Sequence, residues 1–276
     1  MQLVSRGRVL DLRRPNVMGV VNVTPDSFSD GGQFQSTERA VAQAMALATA
    51  GATLLDLGGE STRPGAAPVS VEEELARVIP VVEAVRARTD VWISVDTSTA
   101  EVMRAAVTAG ADMLNDVRAL TRPGALEAAA ELAVPVCLMH MRGEPATMQA
   151  DPVYADVVQQ VIGYLTERAD AALQAGLARE LLLFDPGFGF GKTLAHNLDL
   201  LRRLPEFVSL GYPLLVGLSR KSMLGTITGK PVEERLAASV AAAVLAAQGG
   251  AHIIRVHDVA ATVDALAVQQ ALEYNS

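Results

Sequence analysis

The sequence has a single cysteine among its 276 residues, Cys137, so no intrachain disulfide can brace it. Cys137 lies inside the apolar run 134–139, where it reads as a buried small hydrophobe and not a reactive thiol. One cysteine also suits a reducing cytoplasm. Positive charge is not in excess: 23 Lys and Arg stand against 31 Asp and Glu, a net of −8. A nucleic-acid partner calls for a basic face, so that class is excluded, whereas a small anion held in a local cationic pocket is not. No apolar run reaches the ~18 residues of a membrane span; the longest small-apolar stretch, around 241–247, falls short. Residues 1–10 lack the apolar core of a signal peptide. The expectation is a soluble, cytoplasmic chain. It shows no shift in composition, charge run or low-complexity stretch, which predicts one domain over residues 1–276.

Half of the residues are hydrophobic and only 20% are charged, enough for a large core. Short apolar runs at 17–21, 53–57, 91–95, 113–114, 135–139, 181–184, 214–217 and 252–255 predict strands. Amphipathic stretches at 37–50, 71–88, 100–109, 125–132, 153–175, 197–204, 233–247 and 259–273 predict helices between them. Ser70 with Glu73, and Ser98 with Glu101, read as capping boxes. Gly51, Gly110, Gly176 and the pair Gly249–Gly250 read as helix ends. Pro80 predicts a kink in the second helix. Eight alternating units with no nucleotide fingerprint after the first strand favour a (β/α)8 TIM barrel of the α/β class over an open doubly wound sheet.

Each predicted strand ends in polar residues: Asn22, Asp56, Asp96, Asn115–Asp116, His140, Asp185, Ser219–Lys221 and Arg255–His257. A buried parallel strand is normally apolar throughout, so a charge at its end needs partners or a task. In a barrel all these ends meet around one mouth, where barrel enzymes keep their sites. Asp56, Asp96 and Asp185 are acceptors and Asn115 both accepts and donates, which suits a flat heterocycle rich in N–H groups. Arg63, Lys221, Arg255 and His257 suit an anion. Polar loops follow the first two strands at 22–32 and 58–65, with Phe28 placed for stacking on a ligand and Asp30 either a metal ligand or a turn residue.

The segment 185–193 ends in Gly-Lys-Thr, but the first glycine required of a phosphate-binding P-loop falls on Pro186. It reads instead as a glycine loop over which a flat ligand approaches the backbone. His140 has no second histidine at a metal-binding spacing and reads as structural, and Asp116 reads as a cap beside Asn115.

The segments 22–32, 56–65, 94–97, 115–116, 185–192, 219–222 and 255–259 together resemble the dihydropteroate synthase family, across nearly the whole chain. Ala238, where glycine is expected, is a small departure. The resemblance implies a transferase of folate biosynthesis that joins p-aminobenzoate to hydroxymethyl-dihydropterin pyrophosphate and releases pyrophosphate with the help of Mg²⁺. It implies pterin binding by Asp56, Asp96, Asn115, Asp185, Lys221 and Arg255, with Met139 as a floor. It assigns pyrophosphate to Thr62, Arg255 and His257, and p-aminobenzoate to Phe28, Arg63, Pro64, Phe190, Ser219 and Lys221. Asn22, with Asp30, would meet the metal, and Lys221, Arg255, Asp96 and Asn22 would carry the chemistry. Sulfonamides are implied as inhibitors and a homodimer as the assembly. A pterin-dependent methyltransferase and a non-catalytic pterin-binding barrel are the rival readings. Neither needs the full set of Asn22, two polar loops and the Arg255–His257 anion site.

Overall fold

The computed structural model describes residues 1–23, 32–60, 69–143 and 152–274. It opens with a hairpin of β1 (Gln2–Ser5) and β2 (Arg8–Asp11), absent from the expected elements. Its two turn residues, Arg6 and Gly7, have φ of 51° and 79°. Both central residues at positive φ make the turn twist with its strands, a geometry usually signalled by Asn-Gly and here carried by Arg-Gly.

Eight parallel strands follow: β3 (Asn16–Asn22), β4 (Leu54–Gly58), β5 (Trp92–Asp96), β6 (Met113–Asp116), β7 (Val136–Met139), β8 (Leu182–Asp185), β9 (Leu215–Val216) and β10 (Ile253–Val256). Each pairs with its sequence neighbour, and β10 returns to β3, the order expected of a barrel. The β8–β9 seam is the narrowest, a parallel bridge between Phe184 and Leu214. Outside lie α1 (Gly32–Thr49), α2 (Val71–Arg86), α3 (Ala100–Ala109), α4 (Ala125–Leu132), α5 (Val157–Gln174), α6 (Leu194–Arg202), α7 (Leu204–Val208), α8 (Ser222–Thr228), α9 (Leu236–Gln248) and α10 (Val259–Tyr274).

The helices match the amphipathic stretches closely, with three differences. The stretch 197–204 becomes α6 and α7, separated at Arg203, because Pro205 cannot donate within a continuing helix. Residues 222–228 form α8, for which no periodic signal was available over only 7 residues. Helix α5 starts at Val157, where Asp156 caps the amides of Val158 and Gln159. Helix α2 passes through Pro80 as one element.

One expected capping box forms by half and the other does not form. Ser70 accepts from the Glu73 amide at the start of α2, while the Glu73 carboxylate pairs with Arg77. For α3 the cap position is Thr99, and the Ser98 hydroxyl donates to Asp116 instead. Gly51, Gly110, Gly176 and Gly250 adopt positive φ at helix ends, whereas Gly249 stays right-handed.

The barrel interior is layered. Met18, Leu54, Trp92, Met113, Cys137, Leu183, Leu215 and Ile253, one from each barrel strand, form a closed apolar cluster with Leu3, Leu10 and Leu12 of the hairpin segment. The hairpin therefore plugs the amino-terminal end of the barrel. Side chains alternate along a strand, so the residues between these point outward to the helices. Leu55, Ile93, Leu114, Val136, Leu182 and Ile254 accordingly belong to the separate outer core. The buried Cys137 sits in the inner ring, and burial pushes its thiol well above the usual range.

Candidate active site

Two residues beyond the apolar ring, each strand points inward again: Val20, Asp56, Ser94, Asn115, Met139, Asp185, Gly217 and Arg255. This second ring is the floor of a cleft that also takes in Asp96, Val117, Phe188, Phe190, Ser219, Lys221 and His257. At the carboxyl-terminal mouth of the barrel, charged side chains are thus buried next to open space. The expected residues Asp96, Asn115, Met139, Asp185, Phe190, Ser219, Lys221, Arg255 and His257 all meet there. Asp56 lies just beneath, fully buried. Asn22 ends β3 and is half-buried. Phe28, Asp30, Thr62, Arg63 and Pro64 lie outside the described residues.

The floor is tied together by Arg255. Its Nε donates to Asp56 Oδ2 at 2.6 Å and its other arm to Asp96 Oδ2 at 3.3 Å. Asn115 Nδ2 donates to the same Asp56 oxygen at 3.2 Å. Burial works against the Arg255 charge, but Asp56, Asp96 and Asp185 outweigh it and hold the guanidinium protonated. For Asp96, burial and then the neighbouring Asp56 push the carboxyl up to about 8, against the pull of Arg255. Burial also raises Asp185, whose Oδ1 accepts from the Gly187 amide at 2.7 Å. Three buried polar atoms on this floor, Asp56 Oδ1, Asn115 Oδ1 and Ser94 Oγ, have no hydrogen-bond partner among the described residues. Buried acceptors are nearly always satisfied, so oxygens left open beside a cleft ask for donors on a ligand.

Lys221 reaches the cleft from the loop after β9. Its Nζ donates to the Phe188 carbonyl at 2.7 Å and stands 4.1 Å from the Phe190 ring centroid. Burial pulls its ammonium down to about 8. On the rim, Ser219 Oγ accepts from the His257 amide at 3.2 Å and lies 3.1 Å from His257 Nδ1. The preceding Arg220, at φ 59°, grips Asp258 with two hydrogen bonds of 3.0 and 2.5 Å and so ties the β9 and β10 loops together.

Two strand-end residues do not face the cleft. Asp116 is the outward neighbour of Asn115, and its oxygens accept from Ser98 Oγ and from the Arg118 and Leu120 amides at 2.8 and 2.7 Å. It is a cap, as its position on the odd side of the alternation requires. His140 binds Lys192 Nζ through Nδ1 at 2.9 Å, and burial followed by the Lys192 charge lowers it to about 3, so it stays neutral. Lys192 itself turns inward into its own loop, onto the Gly187 and Phe190 carbonyls. Sequence reasoning missed Val20, Val117, Phe188 and Gly217 as cleft residues. Counting two positions on from the apolar ring finds Val20 and Gly217, and four finds Val117.

The model of the pterin binding enzyme family matches residues 18–257. The dihydropteroate synthase of Haemophilus influenzae is 56% identical over 271 residues, covering 98% of each chain. Among solved structures, the Yersinia pestis dihydropteroate synthase in complex with a sulfonamide drug superposes with a TM-score of 0.95 at 54% identity, covering 99% of each chain. The Xanthomonas albilineans dihydropteroate synthase in complex with 7,8-dihydropteroate gives a TM-score of 0.91 at 56% identity, again over 99% of each chain.

Proposed function

The chain belongs to the dihydropteroate synthases, and from that premise we propose how this barrel performs their transfer. The reaction places the dihydropterin methylene on the amine of p-aminobenzoate and releases pyrophosphate. The observation that carries the reading is the pair of unsatisfied acceptors, Asp56 Oδ1 and Asn115 Oδ1, beside Asp96 and Asp185 on the cleft floor. An aminopyrimidinone edge offers N–H donors to such acceptors, and each donation to Asp96 or Asp185 relieves the cost of a buried carboxylate.

With the pterin seated on this floor, its methylene points towards the mouth. The carbon–oxygen bond breaks with its electron pair leaving on pyrophosphate, and the amine lone pair forms the carbon–nitrogen bond. The amine then loses a proton to solvent or to pyrophosphate. An aromatic amine is neutral near pH 7, so no strong general base is required. What the protein must supply is charge for the leaving group and alignment of the amine. Arg255 and His257 supply the first, and Lys221, Ser219 and Phe190 shape the second. Thr62, Arg63, Pro64 and Phe28 complete this division from the two loops.

The donor set suits Mg²⁺ carried by the pyrophosphate. Among the described residues no group of three His, Cys, Asp or Glu forms a protein cage. Mg²⁺ commonly takes one or two protein oxygens and fills the rest with phosphate and water. Asn22 would provide one such oxygen from its amide and Asp30 a second from its carboxylate, and the metal would supply positive charge against the departing group. Sulfonamides compete for the aminobenzoate wall. The assembly is a homodimer working in the cytoplasm. No helix among the described residues is long and apolar enough to cross a membrane.

The test is to incubate the protein with p-aminobenzoate, hydroxymethyl-dihydropterin pyrophosphate and Mg²⁺. Dihydropteroate and pyrophosphate should appear in equal amounts, and their absence sinks the reading. Arg255→Ala should lose the rise in melting temperature that pyrophosphate gives the parent protein. Unchanged protection by pyrophosphate would remove Arg255 from the anion site.

A further inference from the structure

The Gly-Lys-Thr segment lacks the spacing of a phosphate-binding loop, yet its lysine is among the most buried charges of the described residues. Lys192 Nζ donates to the carbonyls of Gly187 at 2.8 Å, Phe190 at 3.1 Å and His140 at 3.3 Å, and lies 2.9 Å from His140 Nδ1. Burial pulls the Lys192 ammonium well below its ordinary range, while three carbonyls converging on the one nitrogen favour the form that carries three hydrogens. The loop it grips is made of alternating glycines and phenylalanines, with Gly187, Gly189 and Gly191 all at positive φ. A Cβ at Gly187 would stand 1.9 Å from the His140 carbonyl, so the backbone crosses the end of β7 at a distance only glycine allows.

Side chains hold the rest of the same loop. Asn197 Oδ1 on α6 accepts from the Gly189 amide at 2.7 Å, while Asn197 Nδ2 donates to the Thr193 carbonyl at 2.7 Å. Tyr154 Oη donates to the Gly191 carbonyl at 2.9 Å. Lys192 and Asn197 therefore fix the loop from its buried side. On the open side the loop presents the Phe188 carbonyl, which takes the Lys221 ammonium, and the Phe190 ring, against which the same ammonium rests.

We propose that Lys192 and Asn197 are positioning residues for p-aminobenzoate: they clamp the 187–191 loop from behind so that Phe190 and Lys221 form a preset wall. The inference rests on the reading of Phe190 and Lys221 as that wall. Neither clamp residue lines the cleft, so each acts through the loop. Without the ammonium, the carbonyls of Gly187 and Phe190 lose their buried donor, and the loop is free to seek other partners. The pterin floor takes Asp56, Asp96, Asn115 and Arg255 from β4, β5, β6 and β10, which the loop does not touch. It meets the loop through Lys221 and through Asp185, which accepts from the Gly187 amide at 2.7 Å, so it keeps most of its shape.

Lys192→Met and Asn197→Ala, in the full chain, test this by steady-state kinetics with each substrate varied in turn. Each variant should raise KM for p-aminobenzoate about tenfold or more while KM for the pterin pyrophosphate stays within about threefold. Because both act on one loop, the double variant should lose less than the product of the single effects. Equal loss for the two substrates, or no change in either, overturns the proposal. If Lys192→Met fails to fold, Asn197→Ala decides alone by the same criterion. The parent protein's formation of dihydropteroate is measured alongside, so failure of the clamp and failure of the reading beneath it give different results.

Discussion

Two rings of inward-facing side chains, two residues apart on the same eight strands, have opposite characters. The lower ring, from Met18 to Ile253, is wholly apolar and closed by the hairpin. The upper ring holds Asp56, Asn115, Asp185 and Arg255, with acceptors left unsatisfied. The backbone geometry of the two rings is the same, so the difference lies entirely in side-chain chemistry and in which end of the barrel is plugged. Burial stabilises the lower ring at roughly 1.5–3 kcal/mol for each large side chain. In the upper ring it raises the free energy of carboxylates that a ligand can later satisfy. Stability and function are thus divided along each strand and not between strands.

The largest effect that would break this division is at Lys221. Lys221→Ala should lower kcat/KM by about a thousandfold or more, since it removes a cation from both substrate walls. Its melting temperature should stay within a few degrees; extensive unfolding would make the residue structural and erase the contrast. Leu54→Ala, in the lower ring, should do the reverse. A fully buried leucine among close-packed neighbours costs about 3 kcal/mol when truncated, read as a lower denaturation midpoint. Activity well below the melting temperature should be nearly unchanged, and a matched fall in kcat would show that the two rings are coupled.

The smallest effect sharpens the comparison most. Asp96 holds its proton up to about 8 in the folded site, while an unfolded aspartate releases it near 3.8. A raised folded value means that this contribution is full below the unfolded value and is lost as pH rises through about 8. The ligand-free protein should therefore lose stability between roughly pH 4 and pH 8 on account of this group. Asp96→Asn should flatten that decline and melt slightly higher than the parent at pH 8, while losing pterin binding. An unchanged pH profile in thermal melts would show that Arg255 already offsets the burial of Asp96.

Much of this was legible in the sequence because one period governs it. Apolar runs at regular spacing gave the eight strands, and their polar ends located the mouth. The same alternation distinguishes Asn115 from Asp116, adjacent residues of which one faces the cleft and the other caps the Arg118 and Leu120 amides. Local signals were less secure. Ser98 has the spacing of a cap, but α3 begins one residue later than that spacing implies, with Thr99 at the cap position, and the Ser98 hydroxyl donates to Asp116 and accepts from Arg118 instead. The hairpin escaped notice because its turn is Arg-Gly, and α8 because a helix of 7 residues carries no periodic pattern.

Sequence alone determined the barrel, its mouth and the chemical sorting of that mouth into acceptors and cations, because these follow from periodicity and side-chain type. Tertiary structure decided which polar groups are already paired. Arg255 gives two of its five donors to Asp56 and Asp96, residues 199 and 159 positions away, and no spacing rule reaches that far. It also decided the fate of Lys192, whose segment the spacing already separates from a phosphate loop and whose nitrogen is enclosed by the carbonyls of its own loop. The physical reason is common to both: a charge's partners are set by what the fold brings within about 3 Å, and the chain order does not contain that distance.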